Sequence, residues 1–438
     1  MVKKVTVAPL WTALSSTPAQ YPWLDRDLTC RVAVVGGGMA AAMCALHFAE
    51  AGIDTALFSA SPIGNGGTAA ASGILSVDGE DSLFRLSETV GADRAMMAAR
   101  LMKEALDRVE EIASSSQDGC GFRRSDSLRF AETSREKEGI RREYALRLHS
   151  GINSELIGPS DSGRFFTFPM AAGVYSTGIA AQVDPYRLCH TVVARAAAAG
   201  AHIFENTGIT SLCPCEDEEE GAGPEKRPLA LSTTTHRRVR ADYVILATGT
   251  DTRHPCRGAA RTDREWDEIR TTYLMATEPV EELAGWRGAC VIRREETPRL
   301  YLSVTPDRRL LIGGLDSLMV DEQGRVAGLW DMPRHEEHRW EELEEILRDM
   351  FPAIRDITPS YVFSARDGRT KDGLPVIGRM APESRLPATE QVAYALCGGD
   401  NGILHAAVAG RLLLEQYQGR DNRELGLFSP GRAWRIKH

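Results

Sequence analysis

Gly36, Gly37 and Gly38 stand between an apolar run and an alanine-rich stretch, and their spacing suits the holding of a phosphate. Gly36 permits a tight bend, and Gly38 lets the backbone approach a pyrophosphate. Ala41 takes the third place of the pattern, where only a small residue lets helix and strand pack closely. A helix starting there offers free N–H groups and a partial positive charge to the phosphates. The pattern alone is weak and also fits a glycine turn in an unrelated α/β fold. Its surroundings make it specific. Val32 to Val35 is apolar without polar alternation, as in a strand buried on both faces of a parallel sheet. Ala40 to Ala51 has helix character, Gly52 stops it, and Ile53 to Phe58 reads as a second strand. The result is a βαβ unit with a glycine-rich first turn. One position departs from the pattern. The second strand should end in Asp or Glu, to take the ribose hydroxyls. Ser59 stands there, neutral and short, and a glutamate in its place is expected to restore the acceptor.

The elements that must carry this turn follow in order. Residues 1–28 have no clear periodicity and read as an arm on the body. The loop from Ser61 to Leu75 is rich in glycine and small residues and can wrap closely around a ligand. Ser82 to Ser114 has helical apolar spacing. Asp184 and Pro185 suit the N-cap and first position of another helix. His202 to Asn206 is a short strand, and Glu216 to Glu220 an acidic, solvated hairpin loop. Tyr243 to Gly249 is a buried strand ending in a turn. Thr271 to Val280 and Arg299 to Leu315 read as strands of a second, antiparallel sheet, and His335 to Met350 as an amphipathic helix. Ser364 to Gly378 is rich in turn residues. Val392 to Leu396 is a last buried strand before Gly398-Gly-Asp-Asn-Gly402 and a closing helix to about Gln418. The order implies an α/β protein of two interleaved domains.

Composition narrows the function. A chain of 438 residues suits about two to three domains. A formal net charge of −9 argues against a general nucleic-acid surface. No apolar run is long enough to span a bilayer, and the N-terminus lacks a secretion signal, so a cytoplasmic location is expected. The cysteines are scattered and odd in number, nine in all. Cys213 and Cys215 have no second pair or His cluster, so no metal is expected.

Several segments together resemble the D-amino-acid-oxidase-like superfamily of FAD-dependent oxidoreductases, which includes glycine, sarcosine and glutamylputrescine oxidases. In chain order they are the turn at Gly36, the small-residue loop to Gly73, Asp184-Pro-Tyr-Arg-Leu188, Ala247-Thr-Gly249, Tyr301 to Gly314, Thr370-Lys-Asp-Gly-Leu-Pro-Val-Ile-Gly378 and Asn401-Gly-Ile403. The resemblance covers about Leu28 to Gln418. It implies a Rossmann-like FAD-binding domain with a three-layer ββα arrangement, interleaved with an antiparallel-sheet substrate domain. The FAD-binding domain is expected in residues 29–80, 181–260 and 362–420, the substrate domain in 81–180 and 261–361, and a tail in 421–438. The resemblance also implies non-covalent FAD, because Ala365 stands where some relatives carry a tethering cysteine. Gly36, Gly38, Met39 and Ala40 are expected at its pyrophosphate, Ser59 and Ala60 at the ribose, and Ile209, Ala247, Thr248 and Gly249 at the adenine end. Gly67, Thr68, Ser72 and Gly73 are expected under the flavin. Asp372, Asn401, Gly402 and Ile403 belong to the same expected set, with the last helix aimed at the pyrimidine side.

The implied activity is oxidation of a C–N bond in a small amine or amino acid, by hydride transfer to flavin N5. Oxygen or an electron-acceptor protein would take the electrons. Arg366 can bind a substrate carboxylate in two-pronged fashion, with Arg369 second to it, or both can be solvated loop residues or pair with Asp367 and Asp372. Tyr273 and Tyr301 can orient a substrate through their hydroxyls, or simply pack. Ser303 stands where many relatives carry arginine, and Arg366 and Asp367 replace small and aromatic residues, so the substrate is expected to differ from that of well-known members. Two alternatives stay open: oxidation of a 2-hydroxy acid on the same fold, and a flavoprotein scaffold that has lost catalysis.

Overall fold

The computed structural model describes residues 5–15, 19–215, 227–250, 266–318, 338–380 and 389–432. The acidic run at Glu216 to Glu220 lies outside the described residues. Within them the fold is mixed α/β, with helices and two mixed sheets. It divides into two compact units. One holds Ser16–Thr68, Tyr186–Glu268 and Gly368–His438; the other holds Met1–Ser15, Ala69–Pro185 and Ile269–Asp367. Among the described residues no helix is long and apolar enough to cross a membrane.

The first of these is a parallel-sheet unit. Its strands lie in the order Val376–Arg379, Val392–Leu396, Arg238–Leu246, Leu28–Val35, Thr55–Phe58 and His202–Phe204. All neighbours from Val392–Leu396 onward are parallel. Val376–Arg379 closes one edge antiparallel. Ile209–Pro214 and Leu229–Thr233 form a further antiparallel pair that joins Arg238–Leu246. Val32, Ala33 and Val34 are wholly buried, which is why their stretch shows no polar alternation. The helix Met39–Glu50 follows Leu28–Val35, and Gly402–Tyr417 follows Val392–Leu396. Both strands run parallel to Arg238–Leu246, so both helices start at the carboxyl edge of the sheet. The two helices cross closely at Gly410. A Cβ there would lie 2.5 Å from His47 Cδ2 and 2.8 Å from Met43 O.

The other unit is built on a ten-stranded sheet. Most neighbours are antiparallel. Thr6–Val7 beside Pro359–Arg369 and Val291–Arg294 beside Arg123–Ala131 are parallel. The apolar spacing from Ser82 to Ser114 belongs to two helices, Leu83–Val90 and Ala92–Ser114, not one. Gly91 breaks it at φ +90°, and Ser82 caps the first helix by accepting from Arg85 N–H. Near the N-terminus Leu10–Leu14 is a short helix with Trp11 buried, its indole N–H donating to Ala71 O at 2.7 Å. A buried ionic cluster ties helix to sheet. Arg147 Nη2 meets Asp78 at 2.7 Å, Arg147 Nε meets Glu143 at 2.7 Å, and Arg129 Nη1 meets Glu295 at 3.0 Å. Burial alone would raise the Asp78 carboxyl, but Arg147 and Arg129 hold it below the usual carboxylate range.

Candidate cofactor site

The turn after Leu28–Val35 is shaped by three different constraints. Gly36 has φ +140°, and a Cβ there would lie 2.3 Å from Ala247 O. Its N–H donates to Phe58 O at 2.9 Å, while Ala247 N–H donates to Val35 O at 2.8 Å. The bend is thus pinned between the two neighbouring strands, and no side chain fits. At Gly37 a Cβ would lie 2.0 Å from Ser59 Oγ. At Gly38 it would meet only Thr68 Oγ1, at 3.2 Å, and no other heavy atom of the described residues within 4 Å.

Gly38 is also the N-cap of Met39–Glu50, in extended conformation and with no side chain of its own to cap the helix. Ala42 N–H is the first to bond within the helix, to Gly38 O at 3.0 Å. Met39 N–H is taken by Thr68 Oγ1 at 3.1 Å. The N–H groups of Ala40 and Ala41 belong to the first turn, which has no intrahelical acceptors. An uncapped twelve-residue helix with open space before Gly38 is a fitting seat for a pyrophosphate.

Ser59 is 1% exposed, and its hydroxyl donates to Ser61 O at 2.5 Å. The side chain is turned into its own loop, over Gly37. A carboxylate does stand nearby, on the adjoining strand end, where sequence reasoning did not look. Glu205 is buried and accepts from Ile63 N–H at 2.7 Å and Tyr21 N–H at 3.0 Å. Thr207 takes Leu24 N–H at 3.0 Å. These residues fasten the chain ahead of Leu28–Val35 and the loop after Ser59. No spacing in the sequence links Glu205 to Tyr21. Ala60 lies against Gly208, the residue before Ile209, where a Cβ would be 3.2 Å from the Ala60 Cβ.

The Ala247–Gly249 turn is joined to the segment at 368–375. Trp266 donates from its indole N–H to Gly249 O at 2.9 Å, and its ring packs on Gly368, where a Cβ would lie 2.4 Å away. The Asp372 carboxylate is engaged internally, by Arg432 on two sides, Thr370 Oγ1 and Leu374 N–H. Asn401 is buried and precedes Gly402–Tyr417, and Ile403 is buried in its first turn. In that helix burial pushes the His405 imidazole down to about 4, a hydrogen bond with the Gly398 backbone offsetting part of the shift.

The remaining predicted residues belong to the ten-stranded unit. Gly73 has φ +73°, and a Cβ there would be 2.3 Å from Val183 O; Ser72 O accepts from Gln182. Both serve the close pairing with that strand end. Tyr273 is wholly buried with its hydroxyl 2.9 Å from Ser317 Oγ. Tyr301 is 2% exposed, with its hydroxyl 3.2 Å from Thr272 Oγ1, and packs over Gly313. Both sit in the sheet core. Ser303 is buried, its hydroxyl without a partner among the described residues. Arg366 is half-buried and lies on the strand Pro359–Arg369, not in a turn-rich loop as the sequence suggests.

A glycine turn and an open helix N-terminus at the carboxyl edge of a parallel sheet define a dinucleotide-binding protein. A profile of the FAD dependent oxidoreductase family, DAO, matches residues 31–416, and the chain belongs to that family. It is similar to gamma-glutamylputrescine oxidoreductase of Escherichia coli (strain K12), 23% identical over 428 residues, which span 94% of this chain and 89% of that one. It is likewise 23% identical over 412 residues to glycine oxidase of Bacillus subtilis (strain 168), with 89% and 93% covered. Its fold matches the crystal structure of L-proline dehydrogenase from P. horikoshii with a TM-score of 0.73, at 16% identity, over 93% of this chain and 98% of that one. The protein is an FAD-dependent oxidoreductase of the amine and amino-acid oxidase type.

Proposed function

We propose that this enzyme oxidises the C–N bond of a small, carboxylate-bearing amine, with hydride passing to N5 of non-covalently held FAD, which is the chemistry the cofactor supplies when bound. The observation that carries the reading is the open seat before Gly38 at the uncapped start of Met39–Glu50. In it Gly36 and Gly38 give the backbone close access to the pyrophosphate, and Met39 and Ala40 present the helix end. Thr68, already bonded to Met39 N–H, holds Gly67 and its loop against that end. Ala60, Ile209, Ala247, Thr248 and Gly249 form the adenine end. Ser59 acts through its backbone and its fold over Gly37, because its hydroxyl is spent on Ser61 O. Asp372 holds its loop in place instead of touching the cofactor. Gly402 and Ile403 start a second helix, whose N-terminal partial positive charge would favour negative charge on the bound cofactor by about 0.3–1 kcal/mol. Ser72 and Gly73 fix the start of their strand.

Arg366 is the proposed carboxylate anchor. It is a permanent cation held half-buried on a strand, and its planar fork matches a carboxylate. Tyr273 and Tyr301 shape the sheet beneath, since their hydroxyls are paired inside it. The relatives named for oxidising glycine and gamma-glutamylputrescine support an amine-bearing acid as the substrate class. Peroxide release measured against amino acids, uncharged amines and 2-hydroxy acids, in air and with an artificial electron acceptor, tests this. Turnover of amino acids is expected. Turnover of hydroxy acids alone would overturn it, and the acceptor arm separates oxidase from dehydrogenase.

A further inference from the structure

We infer that Arg432, beyond the stretch matched by the family profile, is a positioning residue for the cofactor seat, acting through the loop at 370–375 on the Ala247–Gly249 turn. Its side chain is wholly buried, as is that of Asp372. All five N–H groups are spent. Nε and Nη2 grip the Asp372 carboxylate at 2.5 and 2.7 Å. Nη2 also donates to Leu374 O at 3.0 Å, and Nη1 to Pro375 O at 3.1 Å and Phe428 O at 3.0 Å. Asp372 in turn takes Thr370 Oγ1 at 2.9 Å and Leu374 N–H at 3.2 Å. One guanidinium therefore fixes a whole loop from inside.

That loop is joined to the glycine turn without a gap. Lys371 N–H donates to Asp267 Oδ2 at 2.9 Å, and Asp267 N–H donates to Arg369 O at 3.0 Å. The adjacent Trp266 packs on Gly368 and donates to Gly249 O at 2.9 Å. Two residues back, Ala247 O presses on Gly36 and Ala247 N–H bonds Val35 O. All these groups lie in the parallel-sheet unit. A buried ion pair is a poor source of net stability, because desolvation offsets most of its attraction. A fully satisfied fork is better suited to fixing geometry, and the geometry it reaches is the wall of the turn.

The inference rests on the reading that the turn holds FAD, and its test separates the two. FAD dissociation constants of the purified holoenzyme are measured by flavin fluorescence on dilution, beside thermal unfolding of the same samples. Arg432→Ala is expected to weaken FAD binding by about tenfold or more, and Arg432→Lys, which keeps the charge but loses the fork, to recover only part. Asp372→Asn provides the second route should the arginine variants not fold, with the same expected weakening. Arg411→Ala is the control. Arg411 ties Glu424 of the same tail to the last helix at 2.7 Å, away from the loop, so its loss should lower the unfolding temperature and leave FAD affinity within about twofold. Lowered unfolding temperature with unchanged affinity in Arg432→Ala, Arg432→Lys and Asp372→Asn, or equal weakening by Arg411→Ala, overturns the inference. Full flavin retention by Gly38→Val would instead overturn the underlying reading of the seat, and the inference with it.

Discussion

A side chain at position 38 would meet only Thr68 Oγ1 among the described residues, at 3.2 Å, so it is the open space beside it that asks for a glycine. Gly38→Val is therefore expected to fold and to lose its flavin, because the added methyl groups fill the space the backbone leaves for phosphate. Flavin content after gel filtration, beside thermal unfolding, checks both halves. The same close approach was legible in the sequence because its causes are local: a bend at Gly36, a small residue at Ala41, a helix just after. Ser59 was legible as a departure but not as a hydroxyl closed onto Ser61 O, and a glutamate forced into that buried slot no longer has a reason to help. Tyr273 and Tyr301 look the same in sequence whether they pack or catalyse, and the sheet buries both. At Arg366 the expectation is kinetic. Arg366→Ala should raise KM for an amino acid at least tenfold, about 1.4 kcal/mol of lost binding, and Arg366→Lys should restore only part of it. Unchanged KM in the alanine variant would remove it from the site.

Two helices from opposite ends of the sequence begin at one sheet edge, and their crossing depends on Gly410. Gly410→Leu drives a side chain into His47 and the Met43 carbonyl. Overpacking of this kind costs about 1–3 kcal/mol. A lower unfolding temperature together with easier loss of flavin is expected, and a variant that melts like the parent would show that the helices do not cross so closely. Each helix was marked by its place after a buried strand and a glycine-rich turn, but a contact between residues 47 and 410 leaves no trace in either stretch. On the second helix His405 stays neutral in the fold down to about pH 4, while the unfolded chain takes up the proton near its ordinary value of 6.5. The unfolded state binds the extra proton first, so stability is full above about pH 6.5 and falls as the pH drops to about 4, by on the order of 3 kcal/mol. Urea unfolding midpoints from pH 7 to pH 4 measure this. In His405→Asn the fall should shrink, and an identical pH profile in that variant would contradict the assignment.

At the scale of the whole chain, the sequence order of strands and helices carried the fold, because each unit is assembled from three separate stretches whose patterns are individually clear. What order could not carry is the long-range fastening by single charged residues: Glu205 to Tyr21, Arg432 to Asp372, Arg147 to Asp78. Such pairs have no periodicity and no fixed spacing, and only the folded chain brings them together. The parallel-sheet unit supplies the seat for the cofactor, and the family assignment supplies the type of reaction. The substrate class joins the two. Anaerobic mixing of the purified protein, loaded with FAD, with single compounds measures it directly, since the flavin absorption band bleaches only when a compound delivers its electrons. Small amino acids are expected to bleach the band, and uncharged amines and 2-hydroxy acids to do so far more slowly or not at all. Protein that is colourless after addition of FAD, or a band bleached by hydroxy acids and untouched by amino acids, would contradict the proposed function.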